Sequence, residues 1–189
     1  MKRYIYLSLC CLWASLSMHA ASFSGTLPVL HIQTENNAPI VSKDDYINAT
    51  YYLDAMGQEN IESIGSATAP LTMEIKGRGN YTWKGFDKKP YRLKLTDKQP
   101  LLGMTKSKHF ALLAHADDSK GFMRNAIGFE LARLIGMTWT PMAKPVEVVL
   151  NGDYIGLYFL TETIRVDKDR VNIVEQEDDE TDPSKVTGG

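Results

Sequence analysis

The dipeptide Asn151-Gly152 limits what this chain can fold into more than any other pair of its residues. Both residue types tolerate positive φ, which the type I′ turn demands and which matches the twist of the strands it joins. The flanking runs, Val146 to Leu150 and Tyr154 to Leu160, are rich in β-branched and aromatic residues, so an antiparallel hairpin is expected there. Further strands follow from the same reasoning. Leu71, Met73 and Ile75 alternate with Thr72, Glu74 and Lys76, and in Tyr91 to Leu95 the apolar residues alternate with Arg92 and Lys94. That period of two marks strands with one buried face. Phe110 to Ala114 is a continuously apolar strand candidate, and Pro28 to Gln33 and Ala49 to Leu53 are expected to pair across the polar stretch 34–45. Residues 61–70, with Gly65, Ser66 and Pro70, read as a loop.

One main helix is expected, from Asp118 to Gly136. Met123, Ile127, Leu131, Leu134 and Ile135 recur at three- and four-residue spacing, Asp118 or Ser119 can cap the start, and Gly136 offers a left-handed exit. The elements together predict an α+β domain in which an antiparallel sheet packs one face on that helix. The tail 175–189 is acidic and polar and reads as a loop, and its ending on Val-Thr-Gly-Gly reads as a chain cut rather than finished.

The first 22 residues carry the order of an export signal: basic Lys2-Arg3, apolar Tyr4 to Trp13, then small residues around Ala20-Ala21. Ten apolar residues are too few to span a bilayer, which takes about 20. Leu9 stands before Cys10, where a lipidated cysteine usually follows a small residue. Residues 1–20 are therefore expected to be cleaved, leaving 21–189 as one domain that is secreted, periplasmic or at the cell surface, with no stable membrane span. Both cysteines, Cys10 and Cys11, lie in the signal, so the mature chain must be stabilised by its core rather than by disulfides. The chain has 21 basic and 23 acidic residues, and losing Lys2 and Arg3 leaves 19 against 23. That weak acidity argues against a general nucleic-acid partner.

The candidate chemistry lies at the turn Gly77-Arg78-Gly79-Asn80. Its glycines let backbone approach a ligand closely, and pairing of the two alternating strands would bring Glu74, Lys76 and Arg78 onto one face with Arg92 and Lys94. Lys88 and Lys89 stand at the mouth of the second strand. Fixed cations and free backbone donors suit a triphosphate, but alternating charge also suits any solvated sheet face. The residues alone leave both readings open. His31, His109 and His115 lack metal-ligand spacing, and Gly77 to Gly79 lacks the third glycine of a dinucleotide fingerprint.

The run Lys76-Gly77-Arg78-Gly79-Asn80-Tyr81-Thr82-Trp83, followed by Lys88-Lys89-Pro90-Tyr91-Arg92-Leu93, resembles the signature of the CotH (spore coat protein H) kinase-like family. The likeness continues in order through Leu101-Leu102-Gly103-Met104, Arg124-Asn125, Phe129 to Leu134, and Asn151-Gly152 to Glu162. It implies a protein-kinase-like small lobe, truncated before the second lobe that holds the family's catalytic aspartates, so this chain would supply no catalytic or metal residue. It implies ATP with Mg2+ or Mn2+ as cofactor in the full-length protein, and an exported protein as the phosphoacceptor or surface partner. The cofactor-binding set it suggests is Arg78, Gly79, Asn80, Lys88, Lys89, Lys94, Glu130 and Glu162. Glu130 would pair with a sheet lysine, or else with its helix neighbour Arg133. Glu162 would lie where a kinase chain crosses between lobes, beside the adenine. The function so implied is transfer of the ATP γ-phosphoryl group to Ser or Thr of exported proteins. The competing reading is a non-catalytic surface or adhesion module, which Tyr81, Trp83 and Phe86 around the basic turn would serve equally well.

Overall fold

The structure is a computed structural model and describes residues 25–118, 120–174 and 181–183. Seven strands form a closed barrel: β1 (Val29–Thr34), β2 (Ile47–Asp54), β3 (Leu71–Gly77), β4 (Tyr91–Gln99), β5 (Ser107–Leu113), β6 (Ala143–Leu150) and β7 (Asp153–Glu162). Their order around the barrel is β1-β2-β3-β4-β5-β7-β6. Neighbours are antiparallel except at the closure, where Val29 to Ile32 of β1 run parallel to Glu147 to Leu150 of β6. Two helices are present among the described residues, α1 (Tyr81–Gly85) and α2 (Arg124–Leu134).

The alternating patterns become one continuous interior. Met73 faces Leu95 and Ala49, Ile75 faces Leu93, and Leu93 faces Phe110, so inward positions meet inward positions around the wall. Leu30, Leu53, Ile75, Leu93, Phe110, Leu112, Val146, Val148 and Leu160 are fully buried. Burying such a side chain contributes about 1.5–3 kcal/mol. A 3₁₀ turn, Leu101–Gly103, buries Leu101 and Leu102, and Lys144 Nζ donates to the Leu102 carbonyl at 2.8 Å. The expected hairpin forms as read, with Asn151 at φ 53° and Gly152 at φ 88°.

The expectation of an α+β kinase-like small lobe, with an antiparallel sheet packed on one main helix, is overturned. The sheet curls onto itself and its inward face fills its own interior, so the core is completed without a helix packed on it. Closure also removes the unpaired edges that an open sheet would expose. The main helix is shorter than expected, beginning at Arg124 rather than near Asp118. Residues 116–118 instead form a 3₁₀ turn, and Asp118 Oδ2 accepts from the Arg124 N–H at 2.9 Å, capping the helix from six residues away. Gly136, at φ 81°, makes the expected exit. The helix's apolar stripe is not buried: Ile127, Leu131 and Leu134 are 60%, 56% and 76% exposed. Residues 1–24, where an export signal is expected, lie outside the described residues, as does most of the acidic tail.

Candidate functional site

The turn after β3 is built by two glycines and a tryptophan. A Cβ on Gly77 would stand 2.5 Å from the Trp83 ring, so only glycine lets α1 fold back over the strand end. Gly79 sits at φ 82°, a region that favours glycine, and its missing Cβ would meet Thr82 Oγ1 at 2.9 Å. Asn80 leads into α1: its carbonyl accepts from the Lys84 N–H, and its side-chain oxygen accepts from Lys43 Nζ at 2.8 Å. The Arg78 N–H donates to the Pro90 carbonyl at 3.1 Å, which ties the turn to the start of β4.

The register puts Glu74 opposite Lys94 and Lys76 opposite Arg92, so the shared charged face exists. Its charges are unequally engaged. Lys94 pairs with Glu74 at 2.7 Å, and that carboxylate raises the lysine's pKa. Lys76 donates to the Asp44 carbonyl and lies over the Tyr46 ring. Arg78 and Arg92 remain, and among the described residues neither forms an ion pair. Desolvation, and then the nearby Arg92 guanidinium, lower the pKa of Arg78 although the residue as a whole stays exposed.

Lys88 and Lys89 do not join that pair. Lys88 Nζ donates to the Leu157 carbonyl and lies 4.5 Å from the Tyr158 ring centroid, and burial lowers its pKa. Lys89 Nζ donates to the Trp83 carbonyl at 2.7 Å. Both lysines therefore hold the turn against the barrel. Glu130 bonds Arg133 at 3.1 Å on the helix surface, the local pairing rather than a bridge to the sheet.

Arg78 and Glu162 do come together. With Arg92, Asn125, Phe129 and Thr163 they line a cleft of about 310 Å³ between the outer wall of the barrel and α2. Glu162 is 3% exposed, and its Oε2 accepts from the Met142 N–H at 3.0 Å. Its own N–H donates to the Met142 carbonyl. Glu162 Oε1 has no hydrogen bond and stands 4.0 Å from Arg170, itself 5% exposed. Arg92 Nε is buried without a partner as well. An orphaned buried donor costs about 1–3 kcal/mol, which an acceptor oxygen in the cleft would relieve. Sequence reasoning missed Arg170. It stands in the charged run Asp167-Lys168-Asp169-Arg170, and its buried partner lies across an irregular turn with no periodic signature.

Behind the cleft wall, His109 is pushed down to about 4, first by burial and then by Arg165, Arg92, Arg170 and Lys94. The unfolded imidazole keeps its ordinary value of 6.5. Between those values the unfolded chain binds more protons than the folded one, so stability rises with pH there. This contribution is complete above about pH 6.5 and is lost as pH falls toward 4. Burial lowers His31 and His115 as well, with the same sign. His109→Gln is expected to flatten, without abolishing, the loss of stability in urea melts between pH 7 and pH 4.5. An unchanged profile would show that His109 is solvated.

Fold and cleft together define a small mixed β-barrel domain with an arginine-lined cleft on its outer wall. A family model described as CotH kinase protein matches residues 75–183, and the chain belongs to that family. No curated protein matches it. The match covers the Gly77–Asn80 turn, the cleft and the 163–170 turn. No helix among the described residues is long and apolar enough to cross a membrane.

Proposed function

We propose that this chain holds the phosphates of ATP within an exported kinase of the CotH family, which transfers the γ-phosphoryl group to Ser or Thr of exported proteins. The observation that carries this reading is the pair Arg78 and Arg92 in one cleft, left without carboxylate partners while the neighbouring lysines are engaged elsewhere. Phosphoryl transfer needs little beyond positioning and charge neutralisation. ATP supplies the transferred group, with Mg2+ or Mn2+ neutralising its oxygens. The buried, unpartnered Arg92 Nε fits such an anion. Arg78 and Arg92 bind and orient the phosphates, the Asn125 amide adds a donor, and Lys88 and Lys89 brace the turn. Magnesium is commonly held by one or two carboxylates and the substrate's phosphates. The cleft offers one carboxylate, Glu162, already bonded to Met142 and faced by Arg170, so no residue of this chain is assigned to the metal. Export rests on the order of residues 1–22, and a mature protein beginning at Ala21 would mark it, whereas an intact Met1 would count against it.

Calorimetric titration of ATP with magnesium tests the cleft. Arg78→Ala is expected to weaken binding about 10- to 150-fold, the equivalent of about 1.5–3 kcal/mol for a hydrogen bond to a charged group. Lys94→Ala, whose partner is the half-buried Glu74, should change affinity little. Equal affinity in wild type and both variants would remove ATP from the cleft. The second reading, a binding module without catalysis, draws on the exposed apolar stripe of α2 and on Tyr81, which is 70% exposed. Trp83 does not support it, because its ring packs over Gly77.

A further inference from the structure

A second polar pocket, of about 200 Å³, lies where β4 passes to β5 and shares no lining residue with the arginine cleft. Lys98, Lys106, Lys108, Arg165 and Arg170 line it against Asp167 and Asp169, a surplus of three positive charges in a chain whose net charge is −2. The two carboxylates are already engaged. Asp167 Oδ1 accepts from the Asp169 N–H at 3.0 Å, and Asp169 pairs with Lys168 at 2.7 Å. Lys98, Lys106, Lys108 and Arg165 form no ion pair with any described residue. Gathering like charges costs folding stability through repulsion unless an anion relieves it.

Two further observations point the same way. His109 lines the pocket with a buried Nδ1 that has no hydrogen-bond partner. Its depressed pKa, caused first by burial and then by four surrounding cations, reports positive potential at that wall. Across the wall lies the cleft, since Arg170 reaches both the His109 carbonyl at 3.3 Å and the Glu162 carboxylate at 4.0 Å.

We infer that this pocket is a docking site for the phosphate of a phosphorylated Ser or Thr on a protein partner, held by Lys98, Lys106, Lys108 and Arg165. The class of partner rests on the phosphoryl-transfer reading, because a phosphorylated hydroxyl is the product of that reaction. The pocket would thus hold a partner that has already been phosphorylated, beside the cleft that serves the next transfer. Its size suits a single phosphate group with water better than a whole nucleotide. A dianion with three acceptor oxygens also matches several converging cations better than one carboxylate does.

The test uses the full chain and three peptides of one neutral sequence, carrying phosphoserine, serine or glutamate at the same position. Calorimetry is expected to show the phosphoserine peptide binding at least about tenfold more tightly than the other two. Inorganic phosphate should displace it, and raised salt should weaken it. Lys106→Gln with Lys108→Gln, both exposed positions, should reduce phosphopeptide affinity about tenfold or more without lowering the melting temperature of the free protein and with ATP affinity unchanged. In NMR titrations with phosphate, the His109 pKa should rise, because a bound anion favours imidazolium. Equal binding of the phosphoserine and serine peptides, or unchanged affinity in the double variant, would overturn the inference. Tighter binding of the glutamate peptide would also overturn it, in favour of an acidic partner. Arg78→Ala separates the two sites: loss of ATP with retention of phosphopeptide is expected, and failure of ATP binding alone would remove the cleft reading without touching this pocket.

Discussion

Arg170→Ala is expected to destabilise the domain by about 3–5 kcal/mol, the usual consequence of removing one partner of a buried ion pair. Both side chains of the Arg170–Glu162 pair are 2% exposed, so the substitution removes the ion-pair partner of a carboxylate that is shielded from water. Glu162 Oε1 already lacks a hydrogen bond. Arg170 also donates to the carbonyls of Thr163 and His109 and to Thr163 Oγ1 at 3.1 Å, so its loss frees the segment that walls off the cleft. Urea denaturation should show a lower midpoint with an unchanged slope. The double variant Arg170→Met with Glu162→Gln should recover much of the loss, since replacing both members of a buried pair costs less than stranding one. A loss below about 1 kcal/mol in the single variant would place the pair among exposed ion pairs.

Tyr158→Ala should cost about 3–5 kcal/mol, as large-to-small changes of buried aromatic residues do. Tyr158 is 1% exposed, packs 6.3 Å from the Tyr91 ring, and lies beneath the Lys88 ammonium. Its hydroxyl donates to the Lys89 carbonyl at 3.0 Å, which links the barrel interior to the strand start behind the Gly77–Asn80 turn. Tyr158→Phe keeps the ring and removes only that bond, so a loss of about 0.5–1.5 kcal/mol is expected. If the alanine and phenylalanine variants melted alike, the hydroxyl rather than the ring would be the stabilising element, and the packing account would fail.

Much of the candidate site is legible in the order of residues. Arg78, Gly79 and Asn80 announce a turn by residue type, and the alternation in residues 71–76 and 91–95 predicts the pairing that sets Lys76 opposite Arg92. What alternation does not say is which cations stay available. Lys94 is engaged by Glu74, Lys76 by the Asp44 carbonyl, Lys88 by the Leu157 carbonyl and Lys89 by the Trp83 carbonyl. Three of these four partners are backbone carbonyls, which carry no residue-type signal. Arg92 lines the cleft, whereas Lys94 does not. Glu130 is ambiguous on the helix because two partners lie within reach by residue type, and the nearer one, Arg133, holds it.

Residue order by itself determined the strands, through a period of two in residues 71–76 and 91–95 and through short apolar, β-branched and aromatic runs elsewhere. It also determined the Asn151-Gly152 hairpin, where two adjacent residues must both adopt positive φ. Family membership was carried by an ordered set of short motifs. Only the tertiary structure decided that the sheet closes, because closure depends on the parallel pairing of residues 29–32 with 147–150, a long-range contact with no local signature. That one pairing explains the main correction. Once the inward faces of seven strands fill a shared interior, the core no longer needs α2, and its periodic apolar residues, read as core from their spacing, are left exposed on the outside. Spacing reports which residues share a side of a helix, whereas burial depends on what arrives to cover that side.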